Sequence, residues 1–384
     1  MSTATAHYHI VIVGTDLGGL VLGALCAKQG YRVAVLAQGG KPTTYQLHGQ
    51  PMVRHVPLHY GLQSPPVRQV FERLSLGLEL RNLPRRLEPG FQVVLPSGRI
   101  DVPTDANQLR SEFDREFSGD GDLIQSFFHR VAEIDQQVEQ VLDLGVRLPP
   151  KGLVESYRFR RLVREYPFLD DAWAIEDPLD EFPRGHPFRA FIHAVFRFCS
   201  GMVPARPYPA SFVRVVNELR QGVYGFEGGP DTLRNLFLDI IMNGGDVHDR
   251  AWVSQIEVRK NRATQLLLRD RRQVIGCDVL VCNTEPKRFF DLIPLEQQRQ
   301  QYHHDIHMLQ PIYYTFTGNF VVRAQAIPEG MARHVFVVSD PEQALDEDNL
   351  IHLARDAASG TTTPTTETRT LSASMRVPTT AVTQ

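Results

Sequence analysis

The stretch YHIVIVGTDLGGLVLGALCAKQGYRVAVLA, residues 8–37, decides the fold. It begins with a continuous apolar run from Tyr8 to Val13 that stops at a glycine, as a buried parallel strand does. Apolar and small residues then recur at helical spacing from Leu17 to Gln29. A second buried run follows from Arg32 to Leu36. This order of strand, helix and strand predicts a βαβ unit with two parallel strands.

The turn between the first strand and the helix carries the glycine spacing of a dinucleotide-binding motif. Gly14, Asp16 and Gly19 match the GxGxxG pattern at every position except the second. Gly14 permits the tight exit from the strand, and Gly19 lets the helix pack closely against it. The amides of Leu17 and Gly18, at the N-terminus of the helix, would face a pyrophosphate. With its flanking strands and helix in place, the motif predicts a Rossmann-type domain.

Asp16 departs from the motif, because the second glycine normally lets the backbone approach the pyrophosphate. A carboxylate pointing at the phosphates would repel them by roughly 4 kcal/mol at 4 Å in a partly screened site. Alternatively, Asp16 caps the helix through the amides of Gly18 or Gly19 and so competes with a phosphate. Either arrangement weakens binding of a dinucleotide.

The end of the second strand departs as well. Ala37 stands where an acidic residue usually binds the adenosine ribose hydroxyls. The neighbouring Gln38 can donate one hydrogen bond but cannot replace a carboxylate that accepts two. Losing a charge-assisted bond of this kind costs about 1.5 to 3 kcal/mol.

Composition sets broad limits on function. The 41 basic and 44 acidic residues nearly balance, so no strong field attracts nucleic acid, and we expect no nucleic-acid partner. The four cysteines form no CxxC pair, which favours a reducing cytoplasm. Residues 10–27 contain Asp16 and four glycines and lack a basic leader, so we read them neither as a signal peptide nor as a membrane span.

Further along, Pro96-Ser97-Gly98 predicts a hairpin, and amphipathic patterns predict helices over 108–144, 186–202 and 232–242. Strands are expected over 252–259, 265–269 and 279–282. The predicted fold class is α/β: a Rossmann-type FAD/NAD(P)-binding domain with a central parallel sheet, and a second, substrate domain of mixed sheet and helices. The predicted boundaries are 1–75 with 220–295 for the nucleotide domain, 76–219 with 296–356 for the substrate domain, and 357–384 for a tail.

That tail has ten threonines in its last 24 residues, a composition typical of disorder. Within it, however, Leu371, Ala373, Met375 and Val377 alternate with polar residues, as on a half-buried strand over 368–378. The sequence leaves both readings open.

Four separated segments together resemble the phytoene desaturase, carotenoid isomerase and flavin amine oxidase superfamily. They are AQGGKPTTYQLHGQPMVRHVPLHYGL after the second strand, YGFEGG at 224–229, GGDV with WVSQI at 244–256, and DVLVCNTEP at 278–286. The resemblance implies that Gly40 and Lys41 belong to a loop beneath the flavin and that the Val253 backbone meets adenine. It also implies that the strand before Asn283 returns to the nucleotide site.

The resemblance implies an FAD-dependent oxidoreductase, similar to a desaturase or isomerase, that acts on an apolar substrate such as a polyene. The cysteine pattern favours a cytoplasmic protein. The basic stretch with Arg158, Arg160, Arg161 and Arg164 could contact a membrane surface or form a solvated face. One alternative is a non-catalytic relative that has lost FAD and binds a partner, as the Rab GDP-dissociation inhibitors resemble flavoproteins. A second is a truncated or split member, because chains of the family continue past this one with a glycine-rich flavin motif.

Two other features yield weaker predictions. The aromatic helix over 188–198 would line a tunnel for a long apolar substrate or form an ordinary core, and the core is favoured. The cluster His303, His304, Asp305 and His307 offers two imidazoles at i and i+4 that could bind a metal ion, but no third ligand is evident, so we predict no metal site. We name no catalytic acid or base, since a flavin would carry the redox chemistry.

Overall fold

The computed structural model describes residues 6–144, 150–166, 174–202, 208–269, 273–345, 347–360 and 367–379. Its helices are α1 Leu17–Lys28, α2 Pro65–Arg73, α3 Gly77–Asn82, α4 Ala106–Glu116, α5 Gly121–Asp143, α6 Gly152–Glu165, α7 Pro187–Ser200, α8 Ala210–Gln221, α9 Thr232–Met242, α10 Pro286–Phe290 and α11 Gln300–His307. None of these helices has both the length and the apolar composition that crossing a membrane requires.

The strands are β1 Ala6–Val13, β2 Val33–Leu36, β3 Thr44–Leu47, β4 Gln50–Val53, β5 His59–Tyr60, β6 Pro84–Arg86, β7 Phe91–Leu95, β8 Gly98–Val102, β9 Ala174–Ile175, β10 Tyr208–Pro209, β11 Val223–Phe226, β12 Asp246–His248, β13 Val253–Arg259, β14 Arg262–Leu268, β15 Val274–Cys282, β16 Tyr313–Arg323, β17 His334–Val338, β18 Leu350–Arg355 and β19 Thr368–Pro378. The chain divides into two compact units: unit 1 is Met1–Tyr45, Arg68–Leu83 and Glu227–Ile312, and unit 2 is the remainder.

Unit 1 is built on a six-stranded sheet in the order β12-β2-β1-β15-β14-β13. The first four strands are parallel, and β14 and β13 run antiparallel to their neighbours. The apolar run of β1 is buried at Val11, Ile12 and Val13, as expected for a strand covered on both faces. Helix α1 packs so closely that a Cβ at Gly23 would crowd side chains of Ile12 and Ile241. This unit is the Rossmann-type domain that residues 8–37 predict.

Unit 2 contains a second six-stranded sheet in the order β16-β19-β18-β17-β7-β8. It is mixed, because β17 and β7 are parallel and the other pairs are antiparallel. Its main core joins residues of β7, β8 and β17 to the helices α4, α5, α7 and α8. The expected α/β fold with a mixed second sheet is confirmed.

Element positions agree closely with the sequence patterns. The hairpin around Pro96-Ser97-Gly98 is β7 and β8, and the long helical region breaks into α4 and α5. Helix α9 begins and ends at the predicted residues, Thr232 and Met242.

The tail contains the strand β19, but its burial is the reverse of the expected one. Thr370, Ser372 and Ser374 are buried, whereas the apolar residues between them are only partly buried. Hydrogen bonds explain this, because the Ser372 hydroxyl donates to Asn319 Oδ1 at 2.7 Å and the hydroxyls of Ser374 and Thr317 lie 2.7 Å apart. Paired hydroxyls can be buried at little cost.

The unit boundaries differ from the predicted domain boundaries at several places, and the contacts explain two of them. Residues 46–67 belong to unit 2, because β5 pairs with β11 and the Asn319 amide donates to the Val53 carbonyl at 2.8 Å. Residues 296–312 belong to unit 1, where the Val258 amide donates to Gln297 Oε1 at 2.7 Å. Both differences arise from pairings between segments distant in sequence.

Candidate functional site

The glycine turn of unit 1 lies against the end of β15. Gly14 has φ +113°, a region that residues with a Cβ rarely adopt. A Cβ at Gly14 would overlap the carbonyl oxygen of Asn283, and one at Gly19 would overlap the side-chain amide of Asn283. Both glycines are therefore required by the packing of the protein on itself.

Asn283 holds this turn in place from the neighbouring strand. Its Oδ1 accepts from the Gly19 amide at 3.0 Å, and its Nδ2 donates to the Asp16 carbonyl at 2.9 Å. Its own backbone amide donates to the Val13 carbonyl at 2.8 Å. The sequence names Asn283 as a residue of the nucleotide site, and the structure gives its side chain a structural role there.

Two amides of the turn remain available to a ligand. In the described part of the chain, no group accepts a hydrogen bond from Leu17 or Gly18, the first two residues of α1. Asp16 is exposed and its side chain makes no capping bond, so the capping alternative is wrong. Because Asp16 is exposed, solvent screens it, and its repulsion of a phosphate is nearer the 1 kcal/mol that water gives at 4 Å than the roughly 4 kcal/mol of a partly screened site. The turn thus offers two donors at a positive helix end.

The adenosine end of the site is closed by Gln38. The Val253 amide donates to Gln38 Oε1 at 2.7 Å, and Gln38 Nε2 lies 3.4 Å from the Val253 carbonyl oxygen. A carboxamide presents an acceptor beside a donor, which is also the pattern on the edge of an adenine ring. The Gln38 side chain therefore holds the backbone groups of Val253 that the resemblance assigns to adenine.

The segment around Gln38 is joined to the chain before β13 at several points. The Gln38 amide donates to the Ala251 carbonyl at 3.1 Å, and the Ala37 amide donates to the His248 carbonyl at 3.2 Å. Gly39, at φ +78°, lies against the ring of Trp252. Ala37 is 1% exposed, so its side chain offers no surface to a ribose.

The loop that carries Gly40 and Lys41 returns to the glycine turn. A Cβ at Gly40 would overlap the Thr15 hydroxyl. The loop is fixed by Asp231, whose carboxylate accepts from the Thr43 amide at 2.7 Å and the Thr44 amide at 3.0 Å. Burial raises the pKa of Asp231, but these bonds outweigh it and hold that pKa below its ordinary value. Lys41 is an exposed residue of this anchored loop.

Unit 1 thus brings together all the site residues that the sequence names: Gly14, Asp16, Leu17, Gly18, Gly19, Ala37, Gln38, Gly40, Lys41, Val253 and Asn283. They fit FAD unequally. The pyrophosphate end has unpaired donors and a glycine backbone, whereas at the adenosine end Ala37 stands in place of the usual carboxylate and Gln38 occupies the Val253 backbone groups. FAD would fit only after that one side chain has moved.

In unit 2 the aromatic helix is core. Phe188, Phe191 and Phe196 of α7 are at most 3% exposed, and Phe188 packs edge-on against Phe127 with ring centres 5.3 Å apart. The apolar cavity beside this helix has a volume of about 30 Å³, room for one water molecule rather than a polyene. The tunnel alternative is therefore not supported here. Trp173, another aromatic residue that could have lined such a tunnel, lies outside the described residues.

The histidine cluster lies on α11 and the arginine cluster lies on α6. His303 and His307 face each other on α11 with ring centres 4.3 Å apart, and His307 Nε2 lies 3.5 Å from Asp291. The arginines of α6 are exposed on a helix with no buried residue in the described chain. Contact of α6 with a membrane remains a prediction.

Sequence reasoning missed a buried carboxylate cluster in unit 2. Asp135, Glu139 and Glu218 approach within 4.8 Å of one another, but the Arg214 guanidinium lies 3.1 to 3.5 Å from all three and takes the place of a cation. Burial, with the negative charges nearby, raises the pKa of Glu218 to about 7 despite Arg214. The sequence carries no signal for it, since α5 and α8 lie far apart in the chain.

It also missed a pair of buried histidines. His334 Nδ1 lies 3.1 Å from His352 Nε2, and His352 stacks on Phe336 at 4.6 Å. Burial lowers the pKa of His352 to about 3 and that of His334 well below its ordinary value, so both are neutral near pH 7. They act as core residues.

Comparisons with known proteins agree with the architecture. The family model described as NAD(P)-binding Rossmann-like domain matches residues 12–74. No curated protein sequence gives a significant match to the chain.

Solved structures resemble the whole chain. The PF1083 protein of Pyrococcus furiosus has 15% identity and a TM-score of 0.60, covering 96% of this chain and 80% of its own. An oxidoreductase from Methanosarcina mazei has 16% identity and a TM-score of 0.57, covering 97% and 80%. Rab GDI from Plasmodium falciparum has 10% identity and a TM-score of 0.55, covering 99% and 85%. These likenesses show the fold alone.

Proposed function

We propose that the chain is an FAD-dependent oxidoreductase that binds its cofactor weakly. The observation that carries the proposal is the pair of unpaired amides at Leu17 and Gly18, at the N-terminus of a helix that follows the first strand of a parallel sheet. In sheets of this kind ligands bind at the carboxyl ends of the strands, and a helix N-terminus there favours a phosphate. An oxidoreductase with the same fold supports this choice.

The residues of unit 1 would divide the binding task between them. The amides of Leu17 and Gly18 would donate to the pyrophosphate, and Asn283 would keep the turn rigid so that these donors stay aligned. Gln38 would have to release Val253 before the adenine could bind. Bound FAD would supply hydride transfer.

The substrate class follows from the resemblance alone. We propose an apolar substrate and a reaction of the desaturase or isomerase type, carried out in the cytoplasm. The apolar cavity of about 30 Å³ in unit 2 is too small for a polyene, so a polyene would have to bind outside that core. A small apolar molecule is the simpler choice.

A second candidate is a binding protein that works without a flavin. It is favoured by the contact between Gln38 and Val253, which satisfies within the protein the groups an adenine would use. Rab GDI shares the fold, so the fold is compatible with a role other than oxidation. On this reading Asp16 and Ala37 are not defects, because no dinucleotide binds.

The visible spectrum separates the two candidates. We expect the purified chain to carry little flavin and to gain flavin absorption bands when incubated with excess FAD. Replacing Asp16→Gly together with Gln38→Ala should increase the fraction of protein that retains FAD after gel filtration. Ala37 is left unchanged, because a carboxylate at a position 1% exposed would be buried without a partner.

Gln265→Ala serves as the matched control, since Gln265 is a partly buried glutamine on β14 of the same sheet. The control should retain FAD as the unmodified chain does. If neither the unmodified chain nor the double variant gains flavin bands while both stay folded by circular dichroism, the oxidoreductase proposal is wrong and the binding protein stands.

A further inference from the structure

A second concave site lies in unit 2, remote in sequence from the glycine turn. It is a cleft of about 460 Å³ at one end of the mixed sheet, where the chain enters β7, enters β17 and leaves β18. Its volume lies within the range of about 300 to 1,000 Å³ that is common for small-molecule sites. The charged residues lining it are Arg85, Arg86, Glu88, Arg333, Arg355 and Asp356.

Both acidic residues of the cleft are engaged elsewhere. The Asp356 carboxylate lies 3.1 Å from the Arg369 guanidinium and accepts from the Thr370 amide at 3.2 Å. Glu88 Oε2 accepts from the amide and the hydroxyl of Thr104, at 3.1 and 2.6 Å. With Arg369 compensating Asp356, the cleft keeps an excess of positive charge.

Arg333 is fixed in the wall by neutral partners. Its guanidinium donates to the carbonyl oxygens of Gly360 at 2.7 Å and Asp356 at 2.8 Å. Burial lowers the pKa of Arg333, and the positive charge of Arg355 lowers it further against the opposing effect of Asp356. The side chain is held in position without being neutralised.

Arg355 and Arg86 complete the cleft. Neither forms an ion pair with any described residue, and Arg86 lies over the Tyr224 ring at 5.9 Å. Four guanidinium groups around a cavity that has only two carboxylates repel one another, and a bound anion relieves that repulsion. Their planar donors match the oxygens of phosphate and carboxylate groups.

We propose that this cleft binds a small molecule bearing a phosphate or pyrophosphate group. Arg333 provides the fixed charge and Arg355 closes on the ligand, with Arg86 at the rim. The ligand is a multiply charged anion, since several guanidinium groups share the site. The phosphate belongs either to a free phosphorylated metabolite or to a lipid headgroup.

The test is calorimetric titration of the full chain with inorganic pyrophosphate at low salt. Arg355→Gln should weaken binding at least tenfold, and Arg86→Gln should weaken it less. Arg323→Gln, which removes the same charge from an exposed position on β16, should leave binding unchanged. Affinity should fall as salt rises, because the interaction is electrostatic.

Pyrophosphate could also bind at the glycine turn, so the variants assign the site. Binding in the cleft is lost in Arg355→Gln and retained in the Asp16→Gly, Gln38→Ala variant. Equal binding by the unmodified chain and Arg355→Gln overturns the proposal, as does an equal loss in Arg323→Gln. Because Arg355 is only partly buried, thermal unfolding should show that Arg355→Gln remains folded.

Sedimentation with vesicles identifies the source of the phosphate. If vesicles containing phosphatidic acid carry down the unmodified chain but not Arg355→Gln, the ligand is a lipid headgroup. Calorimetric binding without sedimentation assigns a free phosphorylated molecule. If neither calorimetric binding nor sedimentation with vesicles is observed, the cleft is not a phosphate-binding site.

Discussion

The two ends of the candidate nucleotide site in unit 1 differ in whether their backbone groups are hydrogen-bonded within the protein. At the glycine turn, Leu17 and Gly18 leave two amides unpaired, whereas at the other end Gln38 satisfies the amide of Val253 and approaches its carbonyl. Gly14 and Gly19 of the turn are explained by contact with Asn283, without a ligand. The comparison teaches that Gly14 and Gly19 report how the chain packs, whereas the groups open to a ligand are the backbone amides of Leu17 and Gly18.

Replacing Gly14 should give the largest effect, and it tests whether packing against Asn283 holds the turn. Gly14→Ala should destabilise the protein by about 4 kcal/mol, because the new Cβ meets the Asn283 carbonyl at a φ of +113°. Urea unfolding followed by circular dichroism measures the loss. The control is Gly18→Ala, where a Cβ meets nothing within 4 Å. That change should be neutral or stabilise by about 0.4 to 1 kcal/mol, and an equal loss for both variants would show that the turn is not held by packing.

Asn283 tests whether the turn depends on the side chain that bridges it. Asn283→Ala should lower the free energy of unfolding by about 2 kcal/mol, because the Gly19 amide and the Asp16 carbonyl both lose a partner. Asn283→Asp keeps the acceptor for Gly19 but places a carboxylate oxygen against the Asp16 carbonyl oxygen, so we expect a loss at least as large. If both variants unfold at the same urea concentration as the unmodified chain, the Asn283 side chain does not stabilise the turn.

Replacing Gln38 tests whether its side chain competes with adenine for the backbone groups of Val253. Gln38→Ala should raise the affinity for ADP about tenfold, since the Val253 groups no longer need to be released, and leave the affinity for pyrophosphate unchanged. Calorimetry gives both constants. Hydrogen exchange at the Val253 amide should be slow in the unmodified chain, fast in the variant, and slow again with ADP. An ADP affinity that does not change would show that adenine does not bind at Val253, and Gln265→Ala controls for loss of a glutamine.

Asp16 should give the smallest effect. Because its carboxylate is exposed, Asp16→Asn should raise ADP affinity only about fivefold at low salt, which corresponds to about 1 kcal/mol. The gain should disappear at high salt, where charges are screened. Asp239→Asn, an exposed change of the same charge on α9, should have no effect. A gain that persists at high salt would point to a steric role for Asp16.

Much of the fold was predictable because its signals are local. The run Tyr8–Val13, the glycine after it and the helical spacing from Leu17 specify a strand, a turn and a helix within one stretch of chain. Helix α9 and the hairpin of β7 and β8 follow from periodicity and turn residues in the same way. The named site residues all fall in unit 1, where the carboxyl ends of the parallel strands β1, β2 and β15 meet at one edge.

Local patterns along the chain were enough to specify the α/β class, the Rossmann-type unit and the segments that converge on it. Only the tertiary structure decided what the named side chains do there: Gln38 bonds Val253, Asp16 does not cap the helix, and Asn283 closes on Gly19. It also decided which face of β19 is buried and how Arg86, Arg333 and Arg355 meet around one cleft. The physical reason is range: periodicity acts between neighbours along the chain, whereas hydrogen-bond partners and clustered charges come from residues up to hundreds of positions apart.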